Sequence, residues 1–181
     1  MTDSSIIVTK LDAARRQLNT AIKLYFEEGD PISIHTLTCA AYNIVRDLIH
    51  EFTNNKMHLK DLIPEEVKPE FKKEIRNNLN EAENYFKHAD RDSQKSISFN
   101  PKMTELFLFD SIKHYIVLTR EGSHLFQLFR LWFFIKYRHI FIFSKEQELM
   151  VKQVENDSVS NDRKLFKKTV LPKIIAVDNN L

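Results

Sequence analysis

Leu125–Phe143 reads LFQLFRLWFFIKYRHIFIF, and the fold turns on whether this run crosses a membrane or fills a protein core. It carries Arg130, Lys136 and Arg138, and several such charges are costly in a bilayer interior. Leu125, Phe126, Leu128, Phe129, Leu131, Trp132, Phe133, Phe134 and Ile135 cover nearly all sides of one helix. Such a helix is a central core element or a homodimer seam. Twelve of the twenty aromatic residues lie between Phe99 and Phe143, and Lys113–His139 holds five Lys/Arg against the single acid Glu121. Bases stack on rings and cations follow phosphates, so this is also the composition of a single-strand binding surface. Aromatic density alone does not make a stacking platform, and the core or dimer reading is preferred.

Outward from this run, the periodicity is helical throughout. A first helix over about Thr9–Glu28 repeats Leu11, Ala14, Leu18, Ile22, Tyr25 and Phe26, with Gly29 ending it. Asp30-Pro31 then reads as an N-cap followed by proline at the first helical position. The second helix runs to about Thr53, and residues 54–69 form a polar connection with one turn of helix. A third covers about Glu70–Ala89 with Phe71, Ile75, Leu79, Ala82, Phe86 and Ala89 inward. Arg91–Pro101 is a loop with a short extended piece at Ile97–Phe99. Helices over about Lys102–Arg120 and Ser123–Arg138 follow, and Ser144-Lys-Glu-Gln147 has capping-box form for a sixth over Ser144–Val154. The expected architecture is an all-α, up-and-down bundle of five to six helices over residues 1–143. Residues 144–181 add a C-terminal helix and a partly disordered polar tail, with one apolar patch at Val170, Leu171, Ile174 and Ile175.

The chain has two glycines in 181 residues, Gly29 and Gly122, which excludes the closely spaced glycines of dinucleotide and phosphate loops. A net charge of +2 announces no strong field for nucleic acid or membrane. One cysteine, Cys39, cannot form an internal disulfide, and Met1–Val8 lacks the basic start of a signal peptide. A cytoplasmic setting is expected, with no membrane partner.

Candidate chemistry gathers near residue 88. Arg76, Asn80, Asn84 and His88 recur every four residues and form one polar ladder, with Lys87 beside it. A solvated helix face looks the same. Asp90, Arg91 and Asp92 follow where the helix stops, and basic groups there also complement the helix dipole. His35 shares a face with Cys39, Tyr42 and Arg46. Antiparallel packing of the second and third helices brings it toward His88 and Asp90, with Glu27, Glu28 and Asp30 at the same pole. His35, His88, Asp90 and Asp92 would suit one divalent metal, the alternative to a cofactor-free protein. No histidine pair at i, i+3 or i, i+4 supports a di-iron bundle. Asp110 interrupts the apolar run Leu106–Ile112 and needs a partner, His114 one turn on or Lys113. No Gly-x-Ser-x-Gly elbow is present.

Lys10–Ala41, with Asp30-Pro-Ile-Ser-Ile-His-Thr-Leu37, and Asn84-Tyr-Phe-Lys-His-Ala-Asp-Arg-Asp92 followed by Phe99-Asn-Pro101, resemble a group of small uncharacterised bacterial helical proteins. More distantly they resemble the HEPN class of nucleotide- and RNA-binding domains found in bacterial defence and toxin systems. The resemblance spans about residues 10–138. HEPN ribonucleases carry Arg-x(4–6)-His, usually paired across a homodimer, and cleave RNA without metal. Here Arg46…His50 and Arg120…His124 have three intervening residues and Arg130…His139 has eight. Asn84…Lys87-His88 is similar to an Asn/Lys-His variant of the class. The resemblance implies His88 as acid–base group with Lys87 and Asn84 beside it, and Arg91, Arg76 and Asn80 as phosphate contacts. It also implies RNA or a nucleotide as ligand, and a homodimer formed through the aromatic helix or the late tail. The competing expectation is a non-catalytic helical interaction protein.

Overall fold

The computed structural model describes residues 5–53, 58–65, 68–89, 94–145, 148–149, 151–152 and 161–178. Among them, seven α-helices have defined bounds and no strand occurs: α1 (Lys10–Phe26), α2 (Pro31–Thr53), α3 (Leu59–Glu65), α4 (Pro69–Lys87), α5 (Lys102–Thr119), α6 (His124–Lys136) and α7 (Arg163–Asp178). A 3-10 turn, Arg138–Ile140, follows α6. Helical residues also occur at 145, 148–149 and 151–152, within the sixth helix expected from the capping box. The extended piece expected at Ile97–Phe99 forms no strand.

Local chemistry sets the ends. Thr9 accepts the Asp12 N–H at 3.1 Å and starts α1. Asp30 accepts the Ser33 N–H at 2.7 Å, with Pro31 as the first residue of α2. The stop of α1 differs from expectation. The left-handed position belongs to Glu28 (φ 56°), not to Gly29. Glu28 N–H reaches the Tyr25 carbonyl and Gly29 N–H reaches the Leu24 carbonyl at 2.8 Å, a Schellman closure with glycine one residue late. A Cβ at Gly29 would stand 3.2 Å from the Leu24 side chain, a tight contact that glycine avoids.

α5 stops similarly, with Arg120 at φ 60° and its N–H on the Ile116 carbonyl at 2.9 Å. A left-handed non-glycine residue costs about 1–2 kcal/mol, partly offset by glycine's greater freedom when unfolded. Arg120→Gly should therefore raise stability by about 1 kcal/mol. Urea denaturation of the two proteins measures it.

The core lies where α1, α2, α5 and α6 meet. It includes Leu18, Ile22, Phe26, Val45, Leu108, Ile112, Phe126, Phe129 and Phe133. α6 is a core element, since Phe126, Leu128, Phe129, Trp132, Phe133 and Ile135 are all buried. No helix among the described residues is long and apolar enough to cross a membrane.

Within 144–181, the stretch expected as a C-terminal helix and partly disordered tail, α7 docks on α1 and α6. Phe166 and Val170, one turn apart, are buried in the same core, and the Phe166 ring stacks on Phe26 with centroids 6.0 Å apart. α4 also sits differently. Phe71 is half exposed, Ile75, Leu79 and Phe86 are only partly covered, and the one buried residue of the helix is Glu83. An ionic contact anchors α4 where an apolar stripe was expected.

Candidate functional site

His35 is buried in the fold, while much of the α4 ladder faces outward. Arg76, Asn84 and His88 are exposed on α4, and Asn80 donates to the Arg76 carbonyl at 2.7 Å. His88 is the C-cap of α4, with its backbone N–H on the Asn84 carbonyl. Lys87 turns back to Glu83 at 2.6 Å. Asp90, Arg91 and Asp92 lie outside the described residues. The start of α2 does meet the end of α4, but through rings: Phe86 and Phe99 lie 5.8 and 5.0 Å from His35.

His35 is buried and fully engaged, with Nδ1 2.9 Å from Thr104 Oγ1 and Nε2 3.4 Å from Cys39 Sγ. Burial drives its pKa down to about 4. The acids of the first turn region serve elsewhere. Glu27 and Glu28 pair with Lys167 and Lys164 of α7.

What the fold assembles instead is a chain of buried ionic groups between α2, α3, α4 and α5. Sequence reasoning left this region as a polar connection. α3 supplies Asp61 and Lys60, with His58 as the residue before it. Arg46 of α2 makes a bidentate contact with Asp61, and His50 Nε2 lies 2.9 Å from the same carboxylate. Lys60 Nζ reaches Glu83 at 2.5 Å, and Asn43 donates to Glu83 at 2.6 Å. Burial would raise the Glu83 carboxyl, yet the bonds from Lys60 and Lys87 outweigh it and lower its pKa to about 2. Tyr42 accepts the Lys60 backbone N–H at 3.0 Å.

At the centre of the chain stands Asp110, whose predicted partner His114 is present one turn along α5. His58 Nδ1 lies 3.2 Å from Oδ2 and His114 Nδ1 lies 3.2 Å from Oδ1. The carboxylate also accepts the Leu59 N–H at 3.0 Å, so α5 caps the start of α3. Burial opposes ionisation of Asp110, but bonds from His114, His58 and Leu59 hold its pKa well below the carboxylate range. The two imidazoles lie 3.9 Å apart, fully buried, and neither Nε2 has a partner. A signal existed in the sequence: His58, Lys60 and Asp61 alternate with Leu59 and Leu62. Periodicity alone could not say that α5 lies opposite.

A second assembly forms a cleft of about 410 Å³ between α1, α5, α6 and α7. Tyr25, Lys102, Glu105, Trp132, Ile135, Lys136, Asn161 and Arg163 line it. Glu105 is buried and receives four hydrogen bonds, from Tyr25, Tyr137 and, at both oxygens, Lys136, at 2.6–2.8 Å. Lys136 also lies over the Trp132 ring at 4.6 Å, and Arg163 lies over Tyr25 at 4.5 Å. Three cations thus face one carboxylate whose lone pairs are occupied. Trp132 is 2% exposed, and its indole N–H has no acceptor.

No family model, no curated protein and no solved structure matches the chain.

Proposed function

We propose that the chain binds nucleotides or single-stranded RNA, as the HEPN resemblance implies, with phosphate held in the cleft of Tyr25, Trp132 and Arg163. The observation that carries this reading is a cleft lined by Lys102, Lys136 and Arg163 whose one carboxylate, Glu105, already accepts four hydrogen bonds. Arg163 meets Glu28 only at 4.0 Å, and Lys102 is exposed. A planar guanidinium and a point charge beside aromatic rings suit phosphate oxygens and a base. The volume falls within the range of small-ligand sites. His88, with Lys87 and Asn84 on α4, is the acid–base group that the resemblance implies, for an RNA strand long enough to reach it from the cleft.

Trp132 is the one tryptophan of the chain, so its fluorescence reports directly on the cleft. Titration with ADP and with a hexaribonucleotide should change it saturably, more weakly as salt rises. Arg163→Ala and Lys102→Ala should each weaken binding about tenfold, since a charge-assisted bond contributes roughly 1.5–3 kcal/mol. Lys87→Ala and His88→Ala should leave binding unchanged. Loss of binding in those two variants instead would move the site to the α4 ladder, and absence of any response in the wild type removes the reading. RNA cleavage in EDTA that disappears in His88→Ala, with binding retained, would add the endoribonuclease step.

A further inference from the structure

We propose that His58 and His114 form a binding site for a late first-row divalent ion, zinc by donor chemistry, with Asp110 as the group that positions both imidazoles. This site is separate from the phosphate cleft and does not depend on it.

The tautomers carry the argument. His114 Nδ1 lies 2.9 Å from the Asp110 main-chain carbonyl, which can only accept, so Nδ1 bears the proton. His58 Nδ1 lies 3.2 Å from Asp110 Oδ2, which also accepts the Leu59 N–H, so Nδ1 is the nitrogen turned to the carboxyl group. In both rings the remaining nitrogen, Nε2, is fully buried and without a hydrogen-bond partner. Two such unmet polar atoms in a dry interior are costly. Imidazole nitrogens offered in pairs, with the opposite N–H groups held by a carboxylate, are the outer arrangement of transition-metal sites. Neutral imidazole is the form a metal requires. One nitrogen of each ring and one Asp110 oxygen lie within 4.8 Å of one another. The ring centroids stand 3.9 Å apart, so both imidazoles border the same buried region. The bound cation would also meet the negative charge of Asp110. Asp61 contributes a second carboxylate nearby, itself matched by Arg46 and His50.

The experiment uses the full chain, stripped with chelator and titrated with Zn²⁺ by calorimetry and with Co²⁺ by absorption. Expected are one ion per chain, a higher melting temperature with Zn²⁺, and two imidazole nitrogens in the X-ray absorption spectrum. His58→Gln and His114→Gln should each weaken binding at least 100-fold, with folding checked by circular dichroism. Asp110→Asn keeps both ligands and should weaken it 10–100-fold. Should these variants fail to fold, the wild-type absorption spectrum still decides. No stoichiometric binding of either ion overturns the proposal. So does binding that survives both histidine substitutions, which would place it at exposed His88 or His139. A crystal grown with Zn²⁺ that shows only water between the two rings overturns it as well.

Discussion

Glu83→Ala should lower the stability of the fold by about 3–5 kcal/mol, the cost of leaving one buried ion without its partner. Lys60 is that ion. Its side chain is 4% exposed, and without Glu83 its ammonium keeps only the faces of Tyr42 and Phe107, at 5.2 and 5.0 Å. Lys87 and Asn43 lose an acceptor too, but Lys87 can turn to solvent. Removing both ions, in Lys60→Met with Glu83→Leu, should recover most of the loss, because a buried pair is nearly balanced by its own desolvation. Acid gives a second signature. The Glu83 pKa falls from 4.5 in the unfolded chain to about 2 in the fold. Its contribution is therefore complete above about pH 4.5 and disappears as pH falls toward 2, about 3 kcal/mol in all. Urea titrations at pH 7 and pH 3 should show about 2 kcal/mol of this drop in the wild type, and a correspondingly smaller one in Glu83→Ala.

The second large effect is expected at Asp110. Asp110→Ala removes the acceptor of His58, His114 and the Leu59 N–H at once, all inside the protein. Each unmet donor costs about 1–3 kcal/mol, and His114 alone keeps an alternative in the Asp110 carbonyl. A loss of about 3–5 kcal/mol follows. Because Asp110 caps α3 from another helix, exchange of the amides over Leu59–Glu65 should rise ahead of those in α1 and α2. Hydrogen exchange measures that ordering. Uniform exchange across the chain would show that α3 is not the element Asp110 secures.

The helices of the bundle were legible in the sequence because apolar residues recur on one face, as at Leu18, Ile22 and Phe26. Asp110–His114 was legible for the same reason: a charge in an apolar run must be met, and one turn away is the nearest place. α7 was missed because Phe166 and Val170 stand among four lysines, Lys164, Lys167, Lys168 and Lys173, and local composition outweighed a short apolar pair. The ionic chain was missed for another reason. Tyr42, Arg46, His58, Lys60, Asp61 and Glu83 look polar and hence solvent-facing when each helix is viewed alone. Only the placement of α3 and α4 over that face of α2 covers them, fully for all but the half-buried Arg46. The polar ladder of α4 was drawn correctly as a face, and the fold leaves Arg76, Asn84 and His88 in solvent.

The stacking of Phe166 on Phe26 has a temporal side. Residues 140 apart must meet before α1 is covered on that flank, and the Lys167–Glu27 contact spans the same interval. During synthesis at about 5–20 residues per second, roughly 7–28 s pass between the two phenylalanines leaving the ribosome. Through that interval the nascent bundle shows an aromatic surface that only its own later helix can cover.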